Sequence, residues 1–139
     1  IVGYSGIKAD TVTLMNEVLE KAKKYPEVIE NIYDNIGKLV EQAKQAVLSK
    51  DWLTLGELMN FNEGPLSSLG VEGKTLASLI YAARDAGAYG AKLSGAGIGD
   101  CMIALAPEDK TQAVKNGITS AGGQVIDVKT NVEGVRVEL

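Results

Sequence analysis

Apolar residues recur at three- and four-residue steps through residues 12–83, then alternate or run together from residue 91 onward. Helices are therefore expected first and strands afterwards. Residues 1–4, Ile-Val-Gly-Tyr, read as the end of a strand, with Ser5-Gly6 as the turn behind it. No hairpin partner follows nearby, so this segment reads as the last strand of something upstream. Residues 1–9 are accordingly assigned to the end of a preceding domain or a linker, and residues 10–139 to the domain itself. Asp10 or Thr11 caps a helix with Val12, Met15, Val18, Leu19 and Ala22 inward, ending near Tyr25 because a residue before proline leaves the α region. Pro26 suits the first turn of a long helix to about Leu48, carried by Val28, Ile29, Ile32, Ile36, Leu39, Val40, Ala43 and Val47. Asp51 caps a third helix that Gly64-Pro65 interrupts, and Leu66 and Leu69 continue its apolar face.

A fourth helix is expected over residues 73–86, with Leu76, Leu79, Ile80 and Ala83 inward and Gly87 as its stop. Residues 91–94 then form a short strand, 95–99 a glycine loop and 101–106 an apolar strand. Pro107 opens a helix with Ala113, Val114 and Ile118 on one face, closed by Gly122-Gly123. Residues 124–129 and 135–139 alternate as strands about a turn at 131–134. Four strands and about five helices make an α+β layer, with helices packed on one face of a four-stranded antiparallel sheet.

At 139 residues, 45% hydrophobic and 23% charged with three prolines, the chain suits one domain with its own core. A net charge of −4 argues against general attraction to nucleic acid or to an anionic membrane surface. A phosphate ligand stays compatible, since backbone N–H groups can hold one without lysine. With one cysteine, Cys101, and no histidine, an internal disulfide, a Cys/His zinc site and imidazole catalysis are all excluded. No apolar run reaches the ~18 residues of a membrane span and no signal peptide is visible, so cytosol is the default. Ile1 in place of methionine adds to the expectation of a missing amino-terminal portion.

The stretch richest in chemistry is Lys92-Leu93-Ser94-Gly95-Ala96-Gly97-Ile98-Gly99-Asp100-Cys101. Alternating glycines let the backbone take positive φ and approach a ligand, and successive N–H groups in such a turn can form an anion-binding nest. Neither the dinucleotide fingerprint nor the P-loop fits, because a strand follows and no Gly-Lys-Ser/Thr is present. On mechanism alone, a tight β-connection relieved by glycine stands equal to a phosphate site. Asp100 would repel a phosphate unless a metal or base intervened; holding the loop by accepting backbone N–H groups is the reading favoured over magnesium binding.

In order and composition this loop, after Gly90-Ala91, resembles the third motif of the galactokinase, homoserine kinase, mevalonate kinase and phosphomevalonate kinase (GHMP) superfamily. That motif reads Lys-Leu-Thr/Ser-Gly-Ala-Gly, further glycines, a cysteine and an apolar strand. Lys92, Leu93, Ser94, Gly95, Ala96, Gly97, Gly99 and Cys101 match it, whereas Ile98 and Asp100 stand where glycine is commonest. Residues 55–71, the Tyr25-Pro26-Glu27-Val28 segment and residues 5–11 are similar to mevalonate kinase segments, so the resemblance covers nearly the whole chain. An Asp before the Cys is also similar to phosphomevalonate kinases.

The resemblance implies a ferredoxin-like carboxy-terminal domain of a two-domain kinase, with the active site in the cleft between the halves. It implies ATP and Mg²⁺, bound mainly by the missing amino-terminal half, and mevalonate as the small-molecule partner. The main ATP loop, the catalytic aspartate and its partner lysine belong to that other half, so no catalytic residue and no metal ligand is assigned here. The loop residues Ser94, Gly95, Ala96, Gly97 and Gly99 are expected at the ATP-phosphate cleft, and Thr11, Lys8 and Asp100 are candidates for the acceptor side. Beside these stand plainer roles: a local cap for Ser94 and for Thr11, and solvation for Lys92. Asn60 and Asn62 are expected to bond the broken backbone before Gly64-Pro65. Cys101 reads as a small core residue and Trp52 as a packing anchor. Half a cleft should give little rate by itself, since phosphoryl transfer rests on positioning and charge stabilisation. An isolated half would also expose apolar surface and self-associate. The alternatives are half of a phosphomevalonate kinase and a non-catalytic ferredoxin-like binding domain.

Overall fold

The computed structural model describes residues 1–130 and 132–137. Its elements run β1 (Val2–Tyr4), α1 (Thr11–Lys24), α2 (Pro26–Ser49), α3 (Trp52–Leu69), α4 (Lys74–Asp85), β2 (Gly90–Ser94), β3 (Cys101–Leu105), a 3₁₀ turn (Glu108–Lys110), α5 (Thr111–Ser120) and β4 (Gln124–Ile126). The class is the expected α+β, a four-stranded antiparallel sheet in the order β2-β3-β1-β4. Its membership differs from the expectation. Val2–Tyr4, read as the tail of something upstream, lies inside this sheet: Val2 pairs with Ile103 on one side and Ile126 on the other. The partners are distant in sequence, which is why no local hairpin signal announced them. The strand expected over 135–139 falls partly on Glu138 and Leu139, and its turn partly on Asn131, all outside the described residues; Val135–Val137 are not in a strand.

Each helix begins and ends for a local reason. Asp10 and Asp51 sit at N-caps, accepting from the N–H of Thr13 and Thr54 at 3.3 and 3.1 Å. The Thr13 hydroxyl first and its N–H second hold the Asp10 carboxyl below its ordinary pKa, and the Thr54 N–H and then its hydroxyl do the same for Asp51. Tyr25 ends α1 because Pro26 follows, and Pro26 then occupies the first turn of α2. Gly64-Pro65 does not interrupt α3, contrary to expectation. Pro65 leaves one helical carbonyl without its N–H, a local cost. Leu58 and Leu69 stay buried on either side of it, and that packing carries the helix through.

The core lies between one face of the sheet and helices α4 and α5. Leu76, Leu79, Ile80, Val114 and Ile118 are fully buried against Met102, together with Ala91, Leu93 and Ala104. Each large side chain so placed contributes about 1.5–3 kcal/mol. The inward stripe expected for α1 holds only in part: Val18 and Ala22 pack against the core, whereas Val12, Met15 and Leu19 are exposed and Leu14 is the buried residue. α1 packs mainly on α2 and α2 on α3, so Val28, Val40 and Val47 are exposed as well.

α3 runs along the outer edge of β2 at close quarters. A Cβ on Gly90 would stand 2.0 Å from the Gly56 carbonyl oxygen, so only glycine permits this approach. The helix then serves the strand as a partner. Asn60 donates to Tyr89 O and accepts from Ala91 N, both at 3.1 Å, and Glu63 accepts from Leu93 N at 2.8 Å. Arg84 donates to Ala91 O at 2.6 Å and the Lys92 ammonium to Leu93 O at 2.5 Å. Side chains thus meet the outward-facing peptide groups of an edge strand, a protection against pairing with another chain.

Candidate functional site

Residues 95–100 join β2 to β3 in a turn rich in positive φ. Gly95 and Gly97 have φ of 98° and 93°, and Ile98 and Asp100 have φ of 55° and 60°. Two segments grip this loop. On one side Ile98 N donates to Val71 O at 2.6 Å, in the α3–α4 connection. On the other, Asp100 N donates to Ile7 O at 2.6 Å and Ser5 N to Asp100 O at 2.9 Å. The Asp100 carboxylate accepts from Ala9 N at 3.3 Å, the loop-holding role the sequence favoured. By contrast, the amides of Gly95, Ala96 and Gly97 have no partner among the described residues. Successive unpartnered N–H groups in such a backbone are the arrangement from which an anion-binding nest is built.

A groove of about 770 Å³ opens between this loop and α1. Gly95, Ala96, Asp100 and Thr11 line it, with Met15 and Leu19 among its apolar residues. Asp10, and not Thr11, is the cap of α1, and the Thr11 hydroxyl has no partner among the described residues. The structure therefore brings four of the expected residues to one groove. Gly97 and Gly99 are buried behind it; a Cβ on Gly97 would meet Val71 O at 2.1 Å. The half-buried Ser94 ends β2 with its hydroxyl unengaged among the described residues. Lys8 is exposed and does not line the groove.

Three further side chains depart from expectation. Asn60 bonds β2, not the backbone around Pro65. Lys92 is not a solvated strand lysine: burial lowers its pKa, with Glu63 opposing, and it lines a second pocket of about 260 Å³ with Asn62 and Leu39. Trp52, expected as an anchor, is 45% exposed. Cys101 is half-buried at the head of β3, and burial first and Asp100 second push its thiol pKa up, away from nucleophile chemistry. Glu63 carries no signal in the sequence; a charged residue between Asn62 and Gly64 gives no sign of burial until α3 is placed against β2. Among the described residues no three His, Cys, Asp or Glu groups gather, and Asp100 is engaged with Ala9.

Residues 39–124 match the family described as GHMP kinases C terminal. The chain belongs to that family. This GHMP kinase domain is 47% identical to the mevalonate kinase of Pyrococcus abyssi over 99% of its own length and 42% of that protein's. It is 33% identical to the mevalonate kinase of Aeropyrum pernix, again over 99% of its length and 43% of the relative's. Among solved structures, L. major mevalonate kinase in complex with R-mevalonate superposes with a TM-score of 0.82 at 35% identity, over 86% of this chain and 37% of that one. The GHMP kinase domain thus spans less than half the length of the curated relatives it matches. Among the described residues, no helix is long and apolar enough to cross a membrane.

Proposed function

We propose that this domain is the carboxy-terminal half of an ATP-dependent kinase that phosphorylates the hydroxyl of mevalonate, a step of isoprenoid precursor synthesis in the cytoplasm. The observation that carries the reading is the 47% identity to a mevalonate kinase along almost the entire chain. The geometry supports a division of labour. Gly95 and Ala96 line the groove with unpartnered amides, which suits a phosphate held by fixed dipoles without the reorganisation that water would need. The Thr11 hydroxyl and the apolar wall of α1 face the same groove and suit a small acceptor carrying a methyl group and a carboxylate. Asp100 fixes the 5–9 segment against the loop and so sets the distance between the two. The amino-terminal half is the partner that supplies the catalytic groups and the other wall of the cleft. Magnesium would accompany ATP without ligands from the residues described here.

The test is ADP release by the full-length protein with magnesium-ATP, offered mevalonate and phosphomevalonate in parallel. Turnover with mevalonate alone is expected. Turnover with phosphomevalonate alone would move the acceptor while leaving the loop's assignment in place, and turnover with neither would overturn the kinase reading.

A further inference from the structure

The outer edge of β2 and the glycine loop meet at a buried acid. Glu63 is 5% exposed; its Oε2 accepts from Leu93 N, while its Oε1 has no hydrogen-bond partner among the described residues. Leu93 is one residue before Ser94 and two before the free amides of the loop. Every charged group that faces this carboxyl can be named. Glu72, on the connection between α3 and α4, stands beside it as a like charge, and Lys92 of β2 is the opposing cation. Arg84 of α4 is committed to Ala91 O, further along the edge. The Lys92 ammonium is itself partly buried and donates to Leu93 O, so it offsets the like-charge contact incompletely. Glu72 adjoins Val71, whose carbonyl holds Ile98 N at 2.6 Å. The start of the loop therefore hangs on Glu63, and its far side on the residue next to Glu72.

We propose that Glu63 is a positioning residue for the loop, holding a proton on Oε1 that it shares with the Glu72 carboxylate, so that one proton ties both ends of the loop. The proton turns the orphan oxygen into a donor and removes a like-charge contact in a poorly hydrated place. Burial is the largest influence on Glu63 and raises its pKa; the Leu93 N–H bond opposes this and Glu72 adds to it. A carboxyl whose folded pKa is raised gives a contribution present below its unfolded value and lost as pH rises through the folded value. Ionisation leaves a charge in a poorly hydrated place beside Glu72, which the Leu93 N–H bond and Lys92 offset only in part, so the side chain is drawn toward water and the Leu93 amide is exposed to exchange when it leaves. The effect on nucleotide binding rests on the kinase reading; the effect on β2 does not.

The experiment is hydrogen–deuterium exchange of the full-length protein between pH 5 and 9 (corrected for intrinsic exchange), following peptides that cover residues 88–97, alongside ATP titrations. Wild-type protection is expected to fall as pH rises. Glu63→Gln, which keeps an acceptor for Leu93 N and a donor for Glu72 but cannot ionise, should hold its protection across the range. Glu63→Ala should lose about tenfold in protection at low pH, the scale of one buried hydrogen bond. A Glu63→Gln protein with the wild-type pH course would overturn the proposal, as would a Glu63→Ala protein as protected as wild type. The expected exchange pattern in a protein that does not bind ATP would support the latch and sink the kinase reading instead.

Discussion

The outer edge of β2 and the loop that follows it are one continuous stretch of main chain treated in opposite ways. Along residues 89–93, side chains from α3, α4 and β2 itself meet the outward peptide groups. From Gly95 to Gly97 the amides are left without partners among the described residues, although both flanks of the loop are firmly bonded. An unpaired strand edge recruits other chains, whereas unpaired amides in a tight turn recruit anions. The contrast shows that the open amides are not a general looseness of this region. The fold closes the groups that would pair with another strand and leaves unpartnered the amides of Gly95 and Ala96, which line the groove, and of Gly97 behind them.

The severest way to break the comparison is to force α3 off the edge. Gly90→Ala puts a methyl group 2.0 Å from Gly56 O, where backbone meets backbone and neither side can yield. A loss of about 3 kcal/mol is expected, read as a lower urea midpoint for the full-length protein. Removing the partner without disturbing the approach should cost less. Asn60→Ala strands Tyr89 O and Ala91 N together, a loss of about 2 kcal/mol. If its midpoint matches wild type, the side-chain closure of the edge is incidental. The smallest stability change is expected in the loop itself. At Gly95 an added Cβ meets nothing nearer than 3.8 Å, leaving only the strain of φ at 98°. Gly95→Ala should lower stability by about 1 kcal/mol while weakening ATP binding about tenfold in isothermal titration. An unchanged ATP affinity there would mean that the open amides do not meet phosphate.

Most of this comparison was only half legible in the sequence. The loop was, because alternating glycines between two strands and the match to the family motif both lie within ten consecutive residues. The helix ends at Asp10, Tyr25 and Asp51 were legible for the same reason: caps and prolines act over one turn. The edge was not. Whether Asn60 and Glu63 reach solvent or a strand depends on which strand ends the sheet, and β2 lies about thirty residues further on. Pro65 misled because its effect is local and α3 is held by packing on both sides of it. The stripe of α1 misled in part because periodicity marks an apolar face without saying what it meets; Val18 and Ala22 meet the core, while Met15 and Leu19 line the groove. ATP, mevalonate and the amino-terminal half came from resemblance, and no residue in this chain would have supplied them alone.

The placement of β1 has a consequence for how the chain is made. Val2–Tyr4 pairs on one flank with β3 and on the other with β4, so the sheet is completed by segments about a hundred residues or more apart in sequence. During synthesis β1 emerges before the other strands of this sheet and waits for its neighbours, on the order of ten seconds at ~5–20 residues per second. Helices α1 to α4 can form in that interval, from contacts near in sequence. The sheet cannot, and a pairing so distant in the chain is a slow one to find. On the ribosome this domain is a late and all-together folder, with an apolar strand in need of shelter until β4 arrives.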